Sequence, residues 1–114
     1  MGVVGLGYVG LPLAVELARA GFQVLGIDTN RDRVESVNRG ETHVLDVPSE
    51  VIAPLIRERQ LSATASFDAV SELDVIFICV PTPHDAAKAP DLSYIQAASH
   101  EIGKRLRAGQ LIVL

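Results

Sequence analysis

The chain has 114 residues, less than one average domain, so a single compact unit is expected. Ten basic against fourteen acidic residues leave a net charge of −4, which argues against nucleic acid or an anionic membrane as the main partner. An apolar fraction of 48% excludes intrinsic disorder. Met1 to Val15 is free of charge but too short to span a bilayer, is broken by four glycines and Pro12, and lacks a basic leader. Cys79 is alone and cannot form an internal disulfide, so a cytoplasmic protein is expected.

Short apolar runs at Met1–Val4, Gln23–Ile27, Leu61–Ala65, Val75–Val80 and Gln110–Leu114 read as strands. Val75 to Val80 is apolar on both faces, as a parallel strand covered on two sides should be. After the first strand, Val9, Leu13 and Leu17 recur every four residues as an apolar face, with Glu16 and Arg19 on the other, and Gly21 stops that helix. A second helix over Asn30–Arg39 turns Val34 and Val37 inward and ends at Gly40. A third, Ser49–Arg59, carries Val51, Ile52, Leu55 and Ile56, with Pro54 expected to kink it or delay its start. Asp91 reads as the N-cap of Leu92–Arg107, with Ile95, Ala98 and Ile102 as the core face and Lys104, Arg105 and Arg107 in the last turn. Alternating strands and helices imply right-handed crossovers. The expected fold is α/β, a Rossmann-type doubly wound parallel sheet of about five strands in the order 3-2-1-4-5. No internal repeat or linker interrupts it.

The chemistry starts at Gly5-Leu6-Gly7-Tyr8-Val9-Gly10. Gly5 allows a sharp turn out of the first strand, Gly7 lets backbone approach a pyrophosphate, and Gly10 lets the helix pack on the sheet. The helix N-terminus then offers free N–H groups and a positive dipole end to phosphates. G-x-G-x-x-G is weak alone, but here a strand precedes it, an amphipathic helix follows, and Asp28 stands at the end of the next strand. The Asp28 carboxylate can accept from both adenosine ribose hydroxyls and would repel a 2′-phosphate, which favours NAD over NADP. The alternative is a turn-forming glycine cluster with Asp28 as a helix cap.

In a doubly wound sheet, ligands bind outside the carboxyl ends of the strands where the order reverses. Val80, Pro81 and Thr82 follow the fourth strand and should line that crevice, with Thr82 near the cofactor or only satisfying backbone. Cys79 reads as a small core residue. His43, His84 and His100 have no metal-ligand spacing. No Ser-His-Asp set or carboxylate pair stands out, so the sequence shows a cofactor site and no catalytic one.

Gly5-Leu6-Gly7-Tyr8-Val9-Gly10-Leu11-Pro12 resembles the fingerprint of the UDP-glucose/GDP-mannose dehydrogenases. The likeness continues through Gly26-Ile27-Asp28 with Arg33, Val80-Pro81-Thr82-Pro83, and Lys88-Ala89-Pro90-Asp91-Leu92-Ser93-Tyr94-Ile95. It covers essentially the whole chain but only the opening part of the family's polypeptide. The last two segments look most like the branch acting on UDP-N-acetylhexosamines, such as the UDP-N-acetylglucosamine and UDP-N-acetylmannosamine 6-dehydrogenases.

The resemblance implies that Gly5, Gly7, Tyr8, Val9 and Gly10 hold NAD, that Asp28 and Arg33 take its adenosine ribose end, and that Val80, Pro81 and Thr82 line the nicotinamide side. It also implies oxidation of a sugar C6 alcohol to a carboxylate by two hydride transfers, through a thiohemiacetal on a cysteine later in the family's chain. Cys79 does not match that cysteine's motif. Both ends of the sequence lie in apolar strands, so a piece of a longer homo-oligomeric enzyme is expected, spanning 1–114 of its NAD domain and inactive alone. Its last strand would be an association-prone edge. A stand-alone nucleotide-binding module and a non-binding remnant are the alternatives.

Overall fold

The computed structural model describes residues 1–83 and 91–114. Five parallel strands, β1 Gly2–Val4, β2 Val24–Ile27, β3 Leu61–Thr64, β4 Val75–Ile78 and β5 Leu111–Val113, pair in the order β3-β2-β1-β4-β5. The register sets Val4 beside Ile27 on one side and Ile78 on the other, so three strands end level. Four helices connect them: α1 Gly10–Arg19, α2 Arg31–Asn38, α3 Ser49–Arg57 and α4 Ser93–Gly103. A 3₁₀ turn at Asp68–Glu72 precedes β4.

Strand residues alternate faces, and two cores result. Val3, Val24, Leu61 and Ala63 face one way and pack with α1, α2 and α3. Val4, Ile27, Ile76 and Ile78 face the other way and meet Ala98 and Ile102 of α4. Helices thus cover both faces, as a doubly wound sheet requires.

Local chemistry sets the boundaries. Gly21 sits at φ 102°, and the amides of Gly21 and Phe22 bond the carbonyls of Ala18 and Leu17, closing α1 with a left-handed residue. Asn30 caps α2 by accepting from the amides of Asp32 and Arg33. Val34 and Val37 are buried as expected.

Several expectations are corrected. The core face of α1 is Leu11, Ala14, Val15 and Ala18, whereas Val9 is exposed and Leu13 and Leu17 are half-buried. Gly10 turns that face inward by packing against Gly5. Pro54 does not delay the start of α3, which begins at Ser49 and includes it. The fourth strand ends at Ile78, although the Cys79 amide still bonds the Val4 carbonyl at 2.7 Å. The N-cap position of α4 is Leu92, and Asp91 instead accepts from the Ser93 amide at 2.9 Å. Ile95 is half-buried. Helix α4 stops at Gly103, so Lys104, Arg105 and Arg107 lie past its last turn, although Arg105 reaches back to the Glu101 carbonyl.

Candidate functional site

The first crossover gathers the site at the carboxyl end of the sheet. Gly5 turns the chain at φ 95°, and a side chain there would meet the Cys79 carbonyl oxygen at 2.6 Å. A Cβ on Gly10 would stand 1.6 Å from the Gly5 carbonyl oxygen, so the loop closes only with glycine at both positions. Gly7 is different: its nearest neighbour would be Arg33 Nη1 at 3.8 Å, which leaves its outer side open to a ligand. Helix α1 begins with no side-chain cap and no acidic residue in its first turn. The Leu11 N–H is taken by the Gly7 carbonyl at 3.1 Å and Pro12 has none, so the Gly10 N–H and the positive dipole end are what this helix start can turn to an anion.

Asp28 leaves the end of β2 with its side chain only 10% exposed. Its Oδ2 accepts from the Leu6 amide at 2.9 Å and its Oδ1 from the Asn30 amide at 2.8 Å. The carboxylate thus ties the glycine loop to the start of α2, while Asn30 does the capping. Arg33 Nη1 stands 3.9 Å from Asp28 Oδ2 on a side chain that is 41% exposed, and it can swing toward a ligand.

These groups surround a cavity of about 420 Å³, within the usual range of small-ligand pockets. Gly5, Gly7, Asp28, Arg33, Val80 and Pro81 line it together. Tyr8, Val9, Gly10 and Thr82 are not in its wall. Tyr8 is 76% exposed, Val9 stands exposed just before α1, and Thr82 lies on the exposed exit from β4. His84 and residues 88–90 fall outside the described residues.

Sequence reasoning missed the far wall, formed by Phe67, Tyr94, Ala97, Ala98 and Glu101. It consists of ordinary apolar and helical residues that only the topology brings there. The Glu101 carboxyl is held below its ordinary range by a hydrogen bond from Arg105, then by one from Lys104. Cys79 is half-buried beside the glycine loop, and burial pushes its thiol up, away from the reactive thiolate. The described residues contain no cluster able to hold a metal and no helix long and apolar enough to cross a membrane.

A parallel sheet with this strand order, a glycine turn closing on itself and an acid at the end of β2 define a Rossmann-type dinucleotide-binding domain. Residues 1–114 match the NAD binding domain of the UDP-glucose/GDP-mannose dehydrogenase family, and the chain belongs to that family.

The chain is 39% identical to an NDP-N-acetyl-D-galactosaminuronic acid dehydrogenase of Ralstonia nicotianae, over 98% of this chain and 26% of the relative. It is 40% identical to a UDP-N-acetyl-D-glucosamine 6-dehydrogenase of Pseudomonas aeruginosa, over 97% and 25% respectively. Among solved structures it superposes on a GDP-mannose dehydrogenase from Pseudomonas aeruginosa with a TM-score of 0.88 and 33% identity, covering 94% of this chain and 25% of that one. The chain thus spans about a quarter of the length of these relatives.

Proposed function

We propose that this chain is the cofactor-holding part of a nucleotide-sugar 6-dehydrogenase. Such an enzyme oxidises the C6 alcohol of a UDP-sugar, of the N-acetylhexosamine class, to a uronic acid with two NAD. The names of the relatives support that sugar class. The residues present fit the cofactor: the open side of Gly7 and the uncapped start of α1 suit a pyrophosphate. Asp28 and Arg33 suit the adenosine ribose, and Phe67, Ala97 and Ala98 offer an apolar wall to the adenine. Val80, Pro81 and Thr82 continue from β4 toward the nicotinamide side.

NAD, when bound, supplies the hydride acceptor. The chain's own part is to bind and orient it. Asp28 presents lone pairs to the ribose hydroxyls while its bonds to the Leu6 and Asn30 amides hold it still. The rigid exit of β4, with Pro81 and Pro83, borders the reacting end. With Cys79 outside the motif of the family's reacting cysteine, we expect this chain to hold cofactor without turning over sugar nucleotide.

The observation that carries this reading is the Asp28 carboxylate, tied at 2.9 Å to the glycine loop and facing the same cavity as Gly7 and Arg33. Titration with NADH, followed by fluorescence, tests it. Asp28→Ala should weaken binding roughly tenfold to a hundredfold, the worth of a charge-assisted hydrogen bond. It should also narrow the preference for NADH over NADPH, because the repulsion of a 2′-phosphate goes with the carboxylate. Unchanged affinity and unchanged preference would remove the ribose role from Asp28.

A further inference from the structure

We infer that His43 is a positioning residue for cofactor binding, setting the direction of the Gly7 N–H through the Leu6 carbonyl. The inference rests on the reading of the glycine loop as the pyrophosphate site. His43 lies in the loop between α2 and α3, 37 residues from its partner, and its Nε2 hydrogen-bonds the Leu6 carbonyl oxygen. A carbonyl only accepts, so Nε2 must carry the proton and donate. The neighbouring Thr42 hydroxyl takes the Val44 amide at 3.0 Å and donates to the Val44 carbonyl at 3.1 Å, which folds the loop tightly at His43. Val44 and Val47 anchor the same loop in the core beside Leu6.

Leu6 is consequently gripped at both ends. Its N–H goes to Asp28 on one side, and its carbonyl goes to His43 on the other. The peptide between Leu6 and Gly7 is trans and planar, so its C=O and N–H point in opposite directions. Holding the carbonyl on His43 therefore turns the Gly7 N–H away from the packed loop, toward the cavity that Gly7 lines. A donor aimed in advance costs less to order when an anion arrives.

The ring's other nitrogen, Nδ1, is buried with no hydrogen-bond partner among the described residues. It plays no part in the clamp, which makes a specific test possible. Glutamine can place an N–H near the position of Nε2, whereas asparagine places one near Nδ1.

NADH and ADP-ribose titrations of the chain carrying His43→Gln, His43→Asn or His43→Leu would be read beside a thermal melt of each. His43→Leu and His43→Asn should bind both ligands roughly tenfold more weakly, the effect of one lost hydrogen bond. His43→Gln should recover most of that loss. With saturating NADH, the Gly7 amide should be less protected from hydrogen exchange in the two weak binders than in the parent or in His43→Gln.

If all three variants bind as the parent does, the clamp has no role in binding. Losses that follow the melting temperature alone, with Gln no better than Leu, would make His43 a packing residue. If the unaltered chain does not bind NADH, the loop reading fails and the inference with it. An Asp28→Ala loss beside an unaffected His43→Leu overturns this inference alone.

Discussion

Among the described residues, the two faces of the sheet are covered to different extents. On one face three helices and the loop carrying His43, Val44 and Val47 close over the strands, and half of the ten residues of α1 are buried. On the other face α4 buries only Ala98 and Ile102 of its eleven residues, and the cavity opens beside it, walled by Val4, Ile27 and Phe67. The glycine loop stands between them, its Leu6 packed into the dense face and its Gly7 turned to the thin one. A binding loop gains its precision from the side that is full and its access from the side that is not. The dense face should therefore respond to substitution in stability, and the thin face in affinity.

The largest effect expected on the dense side is at Gly10. A methyl there would have to displace the backbone carbonyl of Gly5, which no rotamer change can relieve. Gly10→Ala should cost roughly 4 kcal/mol, among the severest single substitutions, and chemical denaturation measures it. A loss below about 1 kcal/mol, within the ordinary range for point changes, would show that the loop and helix are not locked together there.

Ala97 sharpens the contrast from the thin side. It is exposed on α4 and lines the cavity, so a larger side chain has space but takes it from the ligand. Ala97→Leu should leave stability within about 0.5 kcal/mol, as surface changes do. It should weaken NADH binding roughly tenfold, by obstructing the wall proposed for the adenine. If affinity holds and stability falls, the cavity is not where the adenine sits.

Much of the arrangement was legible before the structure. Alternating strands and helices in a chain this short admit few topologies, and the order 3-2-1-4-5 follows from right-handed crossovers with one reversal. The glycine loop and Asp28 stood out because turn, close approach and terminal acid each require a residue type that sequence reveals. The face of α1 was misread for a definite reason. Val9, Leu13 and Leu17 outrank alanines on any hydropathy scale, yet the helix is rotated by the contact between Gly10 and Gly5, so Ala14 and Ala18 go inward. His43 gave no signal, since its partner is a backbone carbonyl in a distant loop. Phe67, Ala97 and Glu101 were equally silent, because a wall assembled across the sheet has no local motif.

Smaller effects belong to the outer end of the thin half. Arg107 donates to the Ser71 carbonyl at 2.6 Å and to Asp74 Oδ1 at 3.1 Å, fastening the entry of β5 to the segment before β4. Its side chain is half-exposed, so solvent screens the ion pair, and the bond to the carbonyl matters more. Arg107→Ala should cost about 1 kcal/mol and lower the melting temperature by about 4 °C, with NADH affinity unchanged. A loss of affinity instead would connect this end of the domain to the cavity and blur the division between the faces.

Glu101 should give the smallest effect, and one with a defined pH signature. It accepts from Arg105 at 3.0 Å and from Lys104 at 3.3 Å, and these bonds hold its carboxyl below the ordinary value of 4.5. A carboxyl depressed in the folded state stabilises it fully above the unfolded value, and that contribution disappears as pH falls through the folded one. The melting temperatures of the parent and Glu101→Gln should therefore differ slightly at about pH 7 and converge as the pH is lowered past the ordinary carboxyl range. Because the groups are only partly buried, about 1 M salt should shrink the difference at neutral pH as well. A difference that grew on acidification would have the wrong sign for this pair. The pH dependence of the thin face would then have to come from another group.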